Sequence, residues 1–140
     1  MLGAGKTFTS TYLAIERRYK HVIVVCPVSV IPKWKAMHER YDFPLRQVLG
    51  YQGLRSVRFK QPKHGLLFRR DLVTGEEEFE TTPAFRTMVD EGLLLIFDEV
   101  QNIKNISSQF RAAQTLIHAV TLKNGPLQQS CACLLYTSPS

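Results

Sequence analysis

No apolar run in this chain approaches the roughly 18 residues that a membrane-crossing helix needs, and no signal-peptide pattern opens it. Cysteine is scarce. Cys26, Cys131 and Cys133 are an odd three, the first inside an apolar run, so they give no disulfide framework and point to a reducing, intracellular setting. Nucleus, cytoplasmic viral factory and bacterial cytoplasm all satisfy that setting. His21, His38, His64 and Cys26 lack metal-ligand spacing, which argues against a zinc site. Acids are nearly missing from the first half: residues 1–70 carry 14 Lys or Arg against 3 acids, whereas residues 71–140 carry 4 against 9. Such a skew suits a polyanionic partner or, equally, a solvated basic surface. With 140 residues, 44% of them hydrophobic, there is enough chain for one domain with a real core but not for two.

What the chain does contain is concentrated in two short stretches. The run LLLIFDEVQNIKN, 93–105, carries five apolar residues straight into Asp98 and Glu99. Burying two adjacent carboxylates without a cation is unfavourable, so the run reads as a central strand whose acids emerge at its C-terminal end. A cation held there calls for a phosphate site elsewhere. Residues 3–7 supply one: GAGKT, opening an amphipathic stretch, is the second half of the P-loop pattern. Gly3, Ala4 and Gly5 would let backbone N–H groups wrap a triphosphate. Lys6 would reach the β- and γ-phosphates of ATP, and the Thr7 hydroxyl would ligate Mg²⁺. Each stretch alone is weak evidence. Together and in this order they are the two parts that a phosphate-bound magnesium requires.

Periodicity and punctuation predict helices at about 5–19, 29–41, 83–91 and 107–120, and strands at 21–26, 46–50, 66–73 and 93–98. The stretch 51–65 reads as basic and irregular, and LVTGEEEF as a turn at Thr74-Gly75 followed by an acidic edge or loop. Thr82, Pro83 and Gly92 fit the N-cap, first turn and end of the 83–91 helix. Ser107 or Ser108 would cap the last helix, whose Phe110, Ala113, Leu116, Ile117 and Val120 share one face. HVIVVC and LLLIF are apolar throughout rather than alternating, as central strands are. The fold class expected is therefore α/β, a mostly parallel sheet with helices on both faces. Trp34, among Ile31, Met37 and Tyr41 at helical spacing, reads as core rather than as a base-stacking platform. Bases from Arg55 to Arg70, interleaved with Phe59 and Phe68, fit a nucleic-acid path or a solvated loop alike.

GAGKT, VIVVCPVSVIPKWKAMHERY and LLLIFDEVQNIKN, in that order, resemble three motifs of superfamily 2 helicase-like ATPases. Cys26, Pro27, Ser29 and Trp34, with Lys104-Asn105 after the acidic box, look like the Swi/Snf-type DNA translocases. LGYQGLRSVR sits where that family has a strand and a Tyr-x-Gly segment. The resemblance spans residues 1 to about 120 and implies an incomplete RecA-like P-loop NTPase lobe. It further implies that Asp98 holds Mg²⁺ through water, that Glu99 orients or deprotonates the attacking water, and that Ser29 and Lys33 touch the phosphate backbone of double-stranded DNA. Gln101 stands where the family more often has His, in the position that links nucleotide state to DNA. A second ATPase lobe of the same protein would supply an arginine to the reaction.

Residues 133–140, CLLYTSPS, fall outside this pattern and read as the translation of a sequencing-library adapter or as a disordered tail. With an opening inside the P-loop, the expectation is a partial lobe over 1–132, inactive alone, lacking its first strand and everything from motif III onward. Two further readings stay open: a strand-separating superfamily 2 helicase on DNA or RNA, and a nucleic-acid-binding module that binds nucleotide without hydrolysing it.

Overall fold

The computed structural model describes residues 19–55, 65–99, 108–121 and 131–134. Its centre is a four-stranded sheet of order β2-β1-β5-β6, formed by β1 (His21–Cys26), β2 (Leu45–Gly50), β5 (Leu93–Phe97) and β6 (Cys131–Leu134). Every neighbouring pair in it is parallel. Between β1 and β2 runs α1 (Ile31–Arg40), entered through a short 3₁₀ turn at Val28–Val30. A brief α2 (Tyr51–Arg55) follows β2, α3 (Pro83–Glu91) precedes β5, and α4 (Ser108–Thr121) lies between β5 and β6. A separate hairpin of β3 (Leu67–Asp71) and β4 (Glu77–Thr81) is antiparallel.

The two unbroken apolar runs occupy the middle of the sheet, where both faces are covered. Alternation sends Ile23, Val25, Leu93, Leu95 and Phe97 to one face, against Phe85 and Val89 of α3 and Ala112, Ala113, Leu116 and Val120 of α4. Val22, Val24, Cys26, Leu94 and Ile96 point to the other, against Trp34 of α1 and Phe43. Helices therefore cover both faces, and the α/β architecture expected from the sequence is the one observed. It is compatible with part of a RecA-like lobe.

Local signals explain the element ends. Thr82 accepts a hydrogen bond from the Phe85 amide, Pro83 occupies the first turn of α3, and Gly92 closes it at φ 118°. That positive φ lets the Gly92 carbonyl accept from the amides of Lys20 and His21, 3.0 and 3.1 Å away, which sets the start of β1 beside β5.

One expectation needs correction. Part of the stretch taken as irregular, 51–55, is helical, because burying Tyr51 and Leu54 in the α4-facing core outweighs the weak local propensity around Gly53. Of the two alternatives for the acidic segment after the turn, an edge or a loop, the structure shows the edge strand: Glu78 and Glu80 point outward while Phe79 between them packs on the core. Its helix-like acid content hides a period of two. The helix expected at about 5–19, except for Tyr19, the basic stretch 56–64 and Ser107, one of the two serines expected to cap the last helix, lie outside the described residues. Residues 133 and 134 pair with β5 as the last two positions of β6.

Candidate functional site

The chain leaves β1 for β2 on one side, and leaves β5 for β6 on the other. The crevice between the carboxyl ends of β1 and β5 is therefore a switch point, the place where open α/β sheets bind their ligands. Asp98 and Glu99 stand there. The Asp98 amide donates to the Val25 carbonyl at 2.8 Å, which continues the parallel ladder one residue past β5 and fixes where the chain turns.

Alternation along β5 places Asp98 on the same face as Leu94 and Ile96, the face that α1 covers. The residue is only 6% exposed. A buried carboxylate needs donors, and the indole of Trp34 provides one: Nε1 donates to Oδ2 at 3.0 Å between side chains 64 residues apart. The backbone is held as well. The Tyr51 hydroxyl donates to the Asp98 carbonyl at 2.6 Å, and the Tyr51 ring stacks on Phe97 with centroids 6.3 Å apart. Glu99, half-buried, takes the left-handed conformation at φ 52°, unusual for a residue other than glycine and found most often at functional turns.

The electrostatics follow from this packing. Burial, reinforced by Asp98 and Glu99, pushes the Cys26 thiol up to about 12, so it stays a neutral, unreactive thiol beside the acids. Burial first, and then Asp98, Cys26 and Glu99, raise the Tyr51 phenol well above its ordinary value. Tyr51 consequently keeps its proton and remains a donor to Asp98 at any working pH.

Magnesium commonly takes one or two carboxylates and completes its shell with water and substrate phosphates. Asp98 and Glu99 fit that habit: they are hard oxygen donors on the turn that ends β5, Asp98 buried with Oδ2 bonded to Trp34 and Glu99 half-buried. Among the described residues no group of three or more His, Cys, Asp or Glu gathers to hold a metal. Gly3, Ala4, Gly5, Lys6, Thr7 and Gln101 lie outside the described residues. Ser29, in the 3₁₀ turn, and Lys33, in the first turn of α1, are both exposed at the N-terminal end of that helix.

Trp34 is fully buried, as its helical spacing predicts, but sequence reasoning missed its bond to Asp98. One signal was available: a buried indole N–H must find an acceptor, and a carboxylate at the end of an adjacent apolar run is the natural one. Tyr51 gave only its place at a strand end, within the Tyr-x-Gly segment.

No protein-family model and no solved structure matches the chain. Among curated proteins, it is 26% identical over 111 residues to one from Acanthamoeba polyphaga mimivirus described as a "putative ATP-dependent RNA helicase". The match takes in 76% of this chain but 20% of that protein, so the chain spans about a fifth of the length of the relative it resembles. The similarity is to a helicase-like protein at that level and no finer. Among the described residues, no helix is long and apolar enough to cross a membrane.

Proposed function

We propose that the chain is part of the ATP-binding lobe of a Swi/Snf-type motor that hydrolyses ATP with Mg²⁺ to move along double-stranded DNA. The observation that carries this reading is the pair Asp98-Glu99 at the carboxyl end of a central parallel strand, buried on one side and anchored by Trp34 and Tyr51. In it Gly3, Ala4, Gly5 and Lys6 cradle the triphosphate, and Thr7 and Asp98 hold Mg²⁺. Magnesium held by those two residues would supply charge stabilisation to the γ-phosphate during transfer. Glu99 orients the attacking water and takes its proton. Ser29 and Lys33 grip one strand of the duplex through its phosphates, contacts that carry no sequence information and so suit travel over any sequence. Gln101 relays nucleotide state, its amide able to donate and accept. A second ATPase lobe of the same protein completes the site. Residues 133–140 play no part in this reading.

One observation favours a second reading, a helicase that separates strands on RNA: the mimivirus relative is described as an RNA helicase. The two part company on the activating polymer. ATP turnover by the intact protein carrying this segment is measured with duplex DNA, with single-stranded DNA and with RNA. The motor reading expects duplex DNA to stimulate turnover at least tenfold more than RNA, an order-of-magnitude margin for a coupled site. Equal or greater stimulation by RNA gives the helicase reading instead. Nucleotide binding without turnover under every condition would leave a non-hydrolysing module.

A further inference from the structure

We propose that Trp34 is a positioning residue through which α1 couples a bound polyanion to the nucleotide site. This inference rests on the ATPase reading above. Three features of the structure carry it. The indole N–H, the only polar group on that side chain, is committed to Oδ2 of Asp98 at 3.0 Å with both residues buried. Asp98's backbone is fixed independently on both sides, its amide by Val25 and its carbonyl by Tyr51. What Trp34 governs is therefore the carboxylate itself, its torsion and its share of donors, rather than the course of β5. Finally, Lys33 and Trp34 are successive residues on one helix, about 100° apart around its axis: one is exposed, the other fully buried.

The consequence is mechanical. A phosphate backbone gripping Ser29 and Lys33 pulls on the first turn of α1. A rigid helix cannot shift there without moving the indole next in sequence, and the indole carries the carboxylate with it. The same bond works in reverse. Magnesium nucleotide that reorients Asp98 biases the position of α1 and so the affinity for the polyanion, because coupling between two ligands is reciprocal. The link is a single hydrogen bond on a single helix, which makes it removable without emptying the core.

The test reads the indole directly. In ¹H–¹⁵N spectra of the intact protein, the indole resonance of Trp34 is the one missing from Trp34→Phe. Adding Mg²⁺ with a non-hydrolysable ATP analogue is expected to move it, EDTA to restore it, and a short duplex DNA to move it by a separate amount. Lys33→Ala is expected to remove the response to duplex while keeping the response to the analogue. In turnover assays Trp34→Phe is expected to cut the stimulation by duplex at least about fivefold, a larger change than in KM for ATP. The coupling is overturned if the protein is stimulated by duplex yet the resonance ignores duplex, or if Trp34→Phe keeps the full stimulation. It is also overturned if duplex gives no stimulation at all. Failure of a fluorescent ATP analogue to bind in Mg²⁺ is a different result, since it removes the ATPase reading and the coupling with it.

Discussion

Glu99→Gln in the intact protein is expected to lower ATP turnover by about 10²- to 10⁴-fold, with nucleotide affinity little changed. The change removes the carboxylate's charge and basicity and turns one acceptor oxygen into an amide donor at nearly constant volume. Gln has nearly the same volume and the same tolerance for the left-handed turn that Glu99 makes at φ 52°, so the chain path past β5 is preserved. The strain of that turn, on the order of 1–3 kcal/mol, is held in both forms by the ladder bond from the Asp98 amide to Val25 and by Tyr51 on the Asp98 carbonyl. A loss of turnover with binding intact assigns Glu99 to the chemical step. Turnover within a few-fold of the parent would remove it from that role and leave a nucleotide-binding module.

Trp34→Ala is expected to be the most damaging single change to stability among the described residues. The side chain is fully buried between α1 and the sheet face formed by Val22, Val24, Cys26, Leu94 and Ile96. Truncating a buried Trp leaves a cavity and typically costs about 3–5 kcal/mol. The lost indole N–H adds about 1–3 kcal/mol, because Oδ2 of Asp98 stays buried without that donor. Against a total of roughly 5–15 kcal/mol for an ordinary domain, a loss of this size brings the lobe to the edge of unfolding. Trp34→Phe keeps most of the ring volume and isolates the hydrogen bond. Urea titration of the two variants is expected to place their midpoints clearly apart, with Ala far lower. Coincident midpoints would mean that the cavity contributes nothing and that Trp34 is not the keystone of this face.

How much of this was legible beforehand depends on how far the cause lies along the chain. β1 and β5 announce themselves as apolar, largely β-branched or leucine runs, and α3 carries its own punctuation in Thr82, Pro83 and Gly92. Those signals are local. β4 could be read only as an edge or a loop because Glu77, Glu78 and Glu80 mask the inward Phe79, and strand identity there comes from pairing with β3 rather than from propensity. Helix α2 was hidden because its existence depends on what Tyr51 and Leu54 touch. At the candidate site the acids and their strand were readable. Their support was not: the bond from Trp34 to Asp98 needs both the β1–β5 register and the crossover that lays α1 on the correct face. Gly3 to Thr7, the other half of the reading, lie outside the described residues and rest on the motif alone.

The claim on which everything else depends is that Lys6 and the Asp98-Glu99 turn serve one magnesium nucleotide. Affinity of the intact protein for a fluorescent ATP analogue, with and without Mg²⁺, in the parent and in Lys6→Ala, tests it most directly. The account predicts Mg²⁺-dependent binding that Lys6→Ala weakens by at least tenfold, about 1.4 kcal/mol or more. Equal affinity in the two proteins, or binding indifferent to Mg²⁺, would contradict it.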